Sequence, residues 1–213
     1  MDKIKATKTA RMADEIEKHF PLSLEVKEAI AKTDREAFVP LGFRNNAYKL
    51  DALPIGGAQY ISSPLTVAKM TQYLFPRGAD RVLEIGCGSG YQAAVLSHLF
   101  RGVFTIERIE SLILEAKKRF RELNINNVHT RTDDGQNGWA AYAPYDRILF
   151  SATAKEIPQK IFEQLAEDGI LIAPIYKDGK QVITRFMKSN GRIEEEELED
   201  CDFVPIIDGV QKC

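Results

Sequence analysis

A buried strand that runs directly into three alternate glycines is the feature that most constrains this fold. Residues 82–91 read VLEIGCGSGY, so an apolar strand is followed by Gly86, Gly88 and Gly90, and a helical pattern begins at Tyr91. Glycine permits a sharp turn and lets a ligand approach the backbone closely. The N-terminus of the following helix offers unpaired N–H groups. The segment therefore predicts a strand, loop and helix that hold a nucleotide-type cofactor.

Strand and helix patterns alternate after this point in the chain. Strands are predicted at 81–85, 103–107, 128–132, 145–151 and 170–175, and helices at 91–100, 110–123 and 158–165. A late antiparallel pair, 182–188 and 193–198, turns at Asn190-Gly191. The expected fold is α/β: a doubly wound, mostly parallel, seven-stranded Rossmann-like sheet with an antiparallel C-terminal edge.

The chain ahead of this sheet is predicted to be an extension of helices and loop. Helices are expected at 8–20, from the cap Ser23 to about Thr33, and from the Ser63-Pro64 pair to about Leu74. Residues 34–63 show no regular pattern but are too apolar for disorder, so we expect a packed lid or substrate loop. We expect a single domain over 1–213, with this extension at 1–76 and the cofactor-binding sheet and C-terminal strands at 77–213.

Charge and cysteine usage narrow the class of protein. The net charge is -2 and no basic stripe points to nucleic acid or to a membrane surface. Cys87, Cys201 and Cys213 form no C-x-x-C pair, so we expect a reducing, cytoplasmic setting and no metal site. The absence of heptads or a long apolar stripe makes a monomer the default expectation.

The glycine spacing favours S-adenosyl-L-methionine over a dinucleotide. A dinucleotide loop is G-x-G-x-x-G, whereas this loop is G-x-G-x-G, and the preceding Glu84 suits a cationic sulfonium better than a pyrophosphate. Glu107 ends the next strand, where it can accept from ribose hydroxyls, and Asp134 ends the third, where it can accept from an adenine amino group. A plain glycine turn and a helix-start charge at Glu107 are the simpler interpretations. The predicted cofactor-binding residues are Glu84, Gly86, Cys87, Gly88, Ser89, Gly90, Glu107, Asp134 and Gly135.

Further motifs lie outside the glycine loop. In chain order they are 35–40 (REAFVP), Ala47-Tyr48, 52–56 (ALPIG), Gln59, Ile61-Ser62, Pro64, 91–96 (YQAAVL), Asp134-Gly135 with Gly138-Trp139, 143–149 (APYDRIL), 156–158 (EIP) and 203–205 (FVP). Through them the chain resembles the protein-L-isoaspartate O-methyltransferase family over nearly its whole length. The glycine loop is generic to methyltransferases, whereas the Ile61-Ser62 loop and the Pro-Tyr-Asp-Arg strand are much more specific.

The resemblance implies methyl transfer from S-adenosyl-L-methionine to the α-carboxylate of L-isoaspartyl residues in damaged proteins and peptides. The ester then closes to a succinimide, whose hydrolysis returns some normal aspartate. A carboxylate is already ionised at pH 7, so the reaction requires no general base. Proximity and alignment would supply most of the catalysis.

By the same resemblance, Ser62 is the active-site hydroxyl. It directly precedes the Ser63-Pro64 helix start, where N–H groups favour an anion, so we expect it to orient the substrate carboxylate. The alternative is that Ser62 and Ser63 are ordinary capping residues. Trp139 has two interpretations as well, stacking near the adenine and plain packing. The implied substrate-binding residues are Gly56, Gly57, Ala58, Gln59, Tyr60, Ile61, Val204 and Pro205.

Three positions depart from the family pattern. Tyr60 stands where Thr is usual, Ala58 where Gly is common, and Cys87 where Thr is common. Tyr60 and Ala58 flank the substrate pocket and put the substrate range in question. A methyltransferase for another carboxylate or a small molecule, and a non-catalytic module that recognises damaged proteins, therefore stay open. A nicotinamide-dependent oxidoreductase is disfavoured by the glycine spacing.

Overall fold

A computed structural model describes residues 2–212 of the chain. The helices are α1 (Lys3–His19), α2 (Leu24–Lys32), α3 (Pro64–Tyr73), α4 (Tyr91–Leu96), α5 (Glu110–Glu122) and α6 (Gln159–Gln164). The strands are β1 (Leu53–Pro54), β2 (Tyr60–Ile61), β3 (Arg81–Ile85), β4 (Gly102–Glu107), β5 (Val128–Thr132), β6 (Tyr145–Phe150), β7 (Leu165–Lys177), β8 (Lys180–Ser189) and β9 (Arg192–Cys201).

The main sheet has seven strands in the order β5-β4-β3-β6-β7-β8-β9. The strands from β5 to β7 in this order are parallel, whereas β8 and β9 add an antiparallel edge. This arrangement confirms the predicted mostly parallel sheet with a mixed edge. The chain moves outward on opposite sides of β3, to β4 and to β6, and open α/β sheets bind ligands at such a switch point.

The central strand is apolar on both faces because both faces are covered. Val82 packs in one hydrophobic cluster, with α1, α3 and α4, and Leu83 and Ile85 pack in the other, with α6. All three side chains are at most 2% exposed. A parallel strand buried in this way shows a continuous apolar run in its sequence, which is why β3 was predictable to the residue.

The helices of the N-terminal extension begin at side-chain caps. The Ser23 hydroxyl accepts from the Val26 N–H at the start of α2, as predicted. The predicted start of the first helix was wrong, because α1 begins at Lys3, where the Asp2 carboxylate accepts from the Lys5 N–H at 2.9 Å.

Residues 34–63 are more regular than predicted. They contain 3₁₀-helical turns at Arg35–Phe38 and Leu41–Asn46, and β1 pairs with β2 in a short hairpin. These elements are too short for periodicity to reveal them, and a local bond from the Glu36 N–H to the Asp34 carboxylate begins the first. The predicted packing of this segment is confirmed.

The two largest further differences between predicted and observed element boundaries arise where side-chain contacts and irregular backbone decide the boundary. The helix expected to reach residue 100 ends at Leu96, and the Asn127 amide donates to the carbonyls of Ser97 and Phe100 in the turn that follows. The strand expected at 170–175 starts five residues earlier and passes Asp168 at φ 56°.

The antiparallel edge ends in β9, which lies at the border of the sheet. It carries four consecutive glutamates, 194–197, all exposed. The predicted Asn190-Gly191 turn joins β8 to β9, with φ values of 51° and 71°.

Within residues 2–212, no helix combines the length and apolarity needed to cross a membrane. Cys87 and Cys201 are free thiols. Cys213, the third cysteine of the sequence, lies outside the described residues.

Candidate active site

A cleft opens at the carboxyl ends of β3, β4 and β6, where the strand order reverses. Its lining comes from residues 59–62 and α3 on one side, from the loops after the three strands, and from residues 203–207 of the C-terminal segment. Parts of the N-terminal extension and of the C-terminal segment thus meet at the switch point of the sheet.

The loop after β3 forms the tight cradle that its glycines predicted. Gly86, Gly88 and Gly90 have φ values of 97°, 53° and 90°, a region that other residues rarely adopt. The N–H groups of Gly86 and Cys87 both donate to the Ile106 carbonyl, which joins the loop to β4. Gly86, Cys87, Gly88 and Ser89 line the cleft. Gly90 lies outside the lining, and a side chain there would place its Cβ 2.8 Å from the Phe120 ring.

Glu107 ends β4 and lies in the cleft wall. One carboxylate oxygen accepts from the Gly88 N–H and the other from the Ile109 N–H, each at 2.9 Å. A carboxylate can accept about four hydrogen bonds, so these two leave capacity for a ligand. Glu107 therefore holds the glycine loop against β4 and still presents acceptors to the cleft.

Glu84 lies below the loop rather than in the cleft lining. Its side chain is 0% exposed, and it accepts hydrogen bonds from Thr105 Oγ1 at 2.5 Å and from Ser151 Oγ at 3.4 Å. Burial raises the pKa of Glu84 to about 8, against the opposing effect of the Thr105 bond. Glu84 was expected beside a cationic cofactor, but in the structure it is fully buried and lies outside the lining.

Asp134 and Gly135 follow β5 and serve different purposes. The Asp134 carboxylate lies outside the lining, where it accepts from the N–H groups of Gln136 and Gly209. It therefore fastens the C-terminal segment beside the cleft. Gly135 is part of the lining, and a side chain there would overlap Ile85 Cγ2.

Ser62 and Ser63 have different roles in the structure. Ser63 is the N-cap of α3, and its hydroxyl accepts from the Thr66 N–H at 3.1 Å. Ser62 lines the cleft, and its hydroxyl has no hydrogen-bond partner among residues 2–212. Its carbonyl accepts from the Arg35 guanidinium at 3.0 Å. Capping thus falls to Ser63, and the Ser62 hydroxyl is available to a ligand.

The predicted substrate loop contributes only its second half to the lining. Gln59, Tyr60 and Ile61 line the cleft, and the Tyr60 side chain is 58% exposed. The other three predicted residues, Gly56, Gly57 and Ala58, form the tip of the β1–β2 hairpin outside the lining. Gly57 and Ala58 both have positive φ there, at 67° and 55°.

Val204 and Pro205 contribute to another side of the lining. The Val204 carbonyl accepts from the Thr153 N–H at 2.8 Å, and the Ile206 N–H donates back to the Thr153 carbonyl. These two bonds attach the C-terminal segment to the loop after β6.

Several lining residues were not predicted from the sequence. Arg108 and Ile109 directly follow β4, and Ser151 and Ala152 directly follow β6. The rule that ligands bind at strand ends, which found Glu107, would have found them too. Trp139 lies outside the lining and packs edge-on against the rings of Phe104 and Tyr142, as its packing interpretation required.

Comparison with known proteins agrees with this geometry. A sequence model of the family described as protein-L-isoaspartate(D-aspartate) O-methyltransferase matches residues 6–211. A protein-L-isoaspartate O-methyltransferase of Helicobacter pylori (strain P12) is 58% identical over 201 residues, which cover 94% of this chain and 96% of the relative. The protein of the same name from Parvibaculum lavamentivorans is 44% identical over 190 residues, 88% of this chain and 86% of its own.

Solved structures support the same fold. A Plasmodium falciparum protein assigned as a protein-L-isoaspartate O-methyltransferase, in complex with S-adenosyl-L-homocysteine, gives a TM-score of 0.84 at 22% identity over 93% of this chain and 98% of its own. A second protein-L-isoaspartate O-methyltransferase gives a TM-score of 0.82 at 27% identity, over 92% of this chain and 64% of its own. Sequence and fold agree along almost the entire length, and this chain belongs to the protein-L-isoaspartate(D-aspartate) O-methyltransferase family.

Proposed function

We propose that this chain transfers a methyl group from S-adenosyl-L-methionine to the α-carboxylate of L-isoaspartyl residues in damaged proteins and peptides. The neighbouring backbone amide nitrogen then attacks the ester carbonyl, loses its proton and expels methanol, which closes a succinimide and begins repair. The observation that carries the proposal is that the available Ser62 hydroxyl and the glycine cradle of a methyltransferase line one cleft.

The residues of the cleft fit S-adenosyl-L-methionine. Gly86, Gly88 and Gly135 keep the backbone bare where a side chain would face strain or overlap Ile85, and Glu107 has spare acceptors for hydroxyls. When bound, the cofactor supplies a methyl group activated by a positively charged sulfur. We propose that the lining residues Gly86, Cys87, Gly88, Ser89, Glu107 and Gly135 hold it directly.

The remaining predicted cofactor residues support the site from outside its lining. Gly90 allows the turn into α4, and Asp134 anchors the C-terminal segment. Glu84 lies beneath the loop, bonded to β4 through Thr105. In the proposed site, Gly90 and Glu84 therefore support the glycine loop, and Asp134 supports the C-terminal side of the cleft.

The acceptor needs positioning rather than activation. An isoaspartyl α-carboxylate is ionised at neutral pH and attacks without first losing a proton. Holding such a group against its reaction partner can lower a barrier by about 7–11 kcal/mol. In this proposal the protein contributes to catalysis by aligning the carboxylate with the methyl group and by excluding water.

Ser62 has the position required for that alignment. Its hydroxyl can donate to the substrate carboxylate at the N-terminus of α3, where the helix dipole also favours an anion. Gln59, Tyr60 and Ile61 on one side, and Val204 and Pro205 on the other, are proposed to hold the peptide backbone. The hairpin tip, Gly56 to Ala58, determines the direction in which the backbone of residues 59–61 enters the cleft.

The direct test is transfer of labelled methyl to a peptide with one L-isoaspartate, beside the same peptide with normal aspartate. We expect base-labile label in the isoaspartyl peptide alone. Label in neither peptide, with cofactor still bound, would contradict the proposal and favour the binding-only module or another acceptor.

Ser62→Ala tests the proposed role of the hydroxyl. A hydrogen bond to a charged group is worth about 1.5–3 kcal/mol, so kcat/KM should fall about 10- to 100-fold. Cofactor affinity should stay within about twofold, because Ser62 belongs to the substrate side of the cleft. Ser63→Ala is the matched control, since it removes the α3 cap, at a cost of about 1 kcal/mol of stability, and spares the cleft hydroxyl. An active Ser62→Ala enzyme would refute the role.

A further inference from the structure

Arg35 is a fully buried arginine bound to the main chain next to the substrate side of the cleft. Its side chain is 0% exposed. Nη1 donates to the carbonyls of Ala47 at 2.8 Å and Lys49 at 3.4 Å. Nη2 donates to the carbonyls of Asp51 at 2.9 Å and Ser62 at 3.0 Å. One side chain therefore ties the loop ahead of the β1–β2 hairpin to the serine at the cleft.

The positive charge of this guanidinium is not neutralised by contact. All four of its hydrogen-bond acceptors are uncharged carbonyls, and no carboxylate of residues 2–212 forms an ion pair with it. The exposed carboxylate of Asp51 acts on it only from a longer distance. Burial lowers the pKa of Arg35 to about 10, so the side chain keeps its charge at neutral pH. Buried charges are normally paired, because an unpaired one is costly to desolvate.

The neighbour of Arg35 on the cleft side is Tyr91. The guanidinium carbon lies 5.8 Å from the centre of the Tyr91 ring, and Tyr91 lines the cleft. Arg35 Nε and the Tyr91 hydroxyl are also the two buried side-chain polar atoms of the described residues that have no hydrogen-bond partner. The charge therefore lies one side chain behind the cleft wall, in surroundings that screen it poorly.

We propose that Arg35 is a positioning residue for the anionic substrate. Its bond to the Ser62 carbonyl fixes the serine at the cleft, and its unpaired charge attracts the isoaspartyl α-carboxylate across Tyr91 and Ser62. The substrate supplies the negative charge that the protein itself does not place beside Arg35. This inference rests on the proposed function for the identity of the acceptor.

A purely structural role makes a different prediction. If Arg35 only joins two loops, its loss weakens the fold and affects charged and uncharged peptides alike. If its charge acts on the substrate, its loss weakens binding of the carboxylate and spares a neutral analogue. The ratio of the two affinities therefore separates the roles.

The probes are two peptides that differ only at the β-linked residue, which carries an α-carboxylate in one and an α-carboxamide in the other. Binding is measured by titration calorimetry with S-adenosyl-L-homocysteine present, so that no turnover occurs. Arg35→Met removes the charge, and Arg35→Lys keeps it but removes the fork of donors. Arg147→Met is the matched control, because Arg147 also binds main-chain carbonyls, those of Leu74, Phe75 and Asp146, but lies outside the cleft lining.

We expect the full-length wild-type protein to prefer the carboxylate peptide. Arg35→Met should reduce that preference at least about tenfold, and Arg147→Met should leave it within about twofold. Arg35→Lys should retain the preference within about threefold while kcat falls at least about fivefold, because Ser62 loses part of its anchor. The contrast between a retained peptide preference and a lowered kcat in Arg35→Lys can still be measured if Arg35→Met does not fold.

The proposal is overturned if Arg35→Met keeps the wild-type preference, if Arg147→Met loses as much of it, or if Arg35→Lys loses it with kcat unchanged. A wild type without preference overturns it as well. The proposed function fails separately: it falls if the wild type binds the carboxylate peptide selectively but transfers no methyl group. Methyl transfer with an unaltered preference in Arg35→Met refutes only the role of Arg35.

Discussion

The buried carboxyl of Glu84 should make the protein less stable as the pH rises. Its pKa is about 8 in the folded chain, against an ordinary value of 4.5. Between these two values the unfolded chain has released the proton and the folded chain still holds it. The free energy of unfolding therefore falls by about 1.4 kcal/mol per pH unit in this window. The stability is fully present below pH 4.5, is lower by about 3 kcal/mol at pH 7, and stops falling above about pH 8.

Glu84→Gln should remove this dependence. The amide oxygen can still accept from Thr105, but the side chain no longer ionises. We expect variant and wild type to have similar stability at pH 5 and the variant to be more stable by about 2–3 kcal/mol at pH 7.5. His98, whose pKa burial lowers, is present in both proteins and cancels in the difference.

Urea unfolding of the cofactor-free protein at half-unit pH steps from 5 to 8 measures this difference. Glu163→Gln is the control, because Glu163 is exposed and makes no ion pair with any residue from 2 to 212. Its stability curve should follow that of the wild type at every pH. Parallel curves for the wild type and Glu84→Gln across this range would refute the assigned burial effect.

Two further substitutions test the cleft. Gly135→Ala should cost about 1–3 kcal/mol of stability and lower cofactor affinity about tenfold, because the new Cβ overlaps Ile85; calorimetry and cofactor titration measure both. Gly42→Ala, which meets nothing within 4 Å, should change neither, and an equal loss in both variants would contradict the steric argument. Tyr60→Thr should change stability by less than about 0.5 kcal/mol but raise KM about two- to fivefold for isoaspartyl peptides with aromatic flanking residues, since the ring is exposed at the cleft. Steady-state kinetics on a peptide series measures this effect, and a KM unchanged for every flanking residue would refute it.

The sheet was predictable because its signals are local. Strands β3 and β5 were placed to the residue, since turn-forming glycines and acids follow an apolar or alternating run. The hairpin turn at Asn190-Gly191 was found for the same reason. Periodicity and turn chemistry suffice where an element is long enough and its ends carry their own stop signals.

The site was only partly predictable because it depends on contacts between distant segments. Glu84 and Glu107 look alike in sequence, as acids near the carboxyl ends of two successive apolar strands, yet only Glu107 lines the cleft. Alternation along β3 sends Glu84 to the buried face that Val82 occupies, whereas Glu107 stands where β4 ends. The partners of Arg35 lie 12 to 27 residues away, beyond the reach of any local pattern.

The glutamates along β9 affect how the edge of the sheet interacts with unfolded protein substrates. An uncovered strand edge is a template on which any extended chain can pair, and damaged proteins expose such chains. Among residues 2–212, only two of the four carboxylates form ion pairs: Glu196 with Arg185 of the adjacent β8, and Glu197 with Lys177 at the end of β7. The surplus negative charge opposes strand addition along the border of the sheet. A repair enzyme with a charged border of this kind is protected from pairing with its unfolded substrates and so from starting an aggregate.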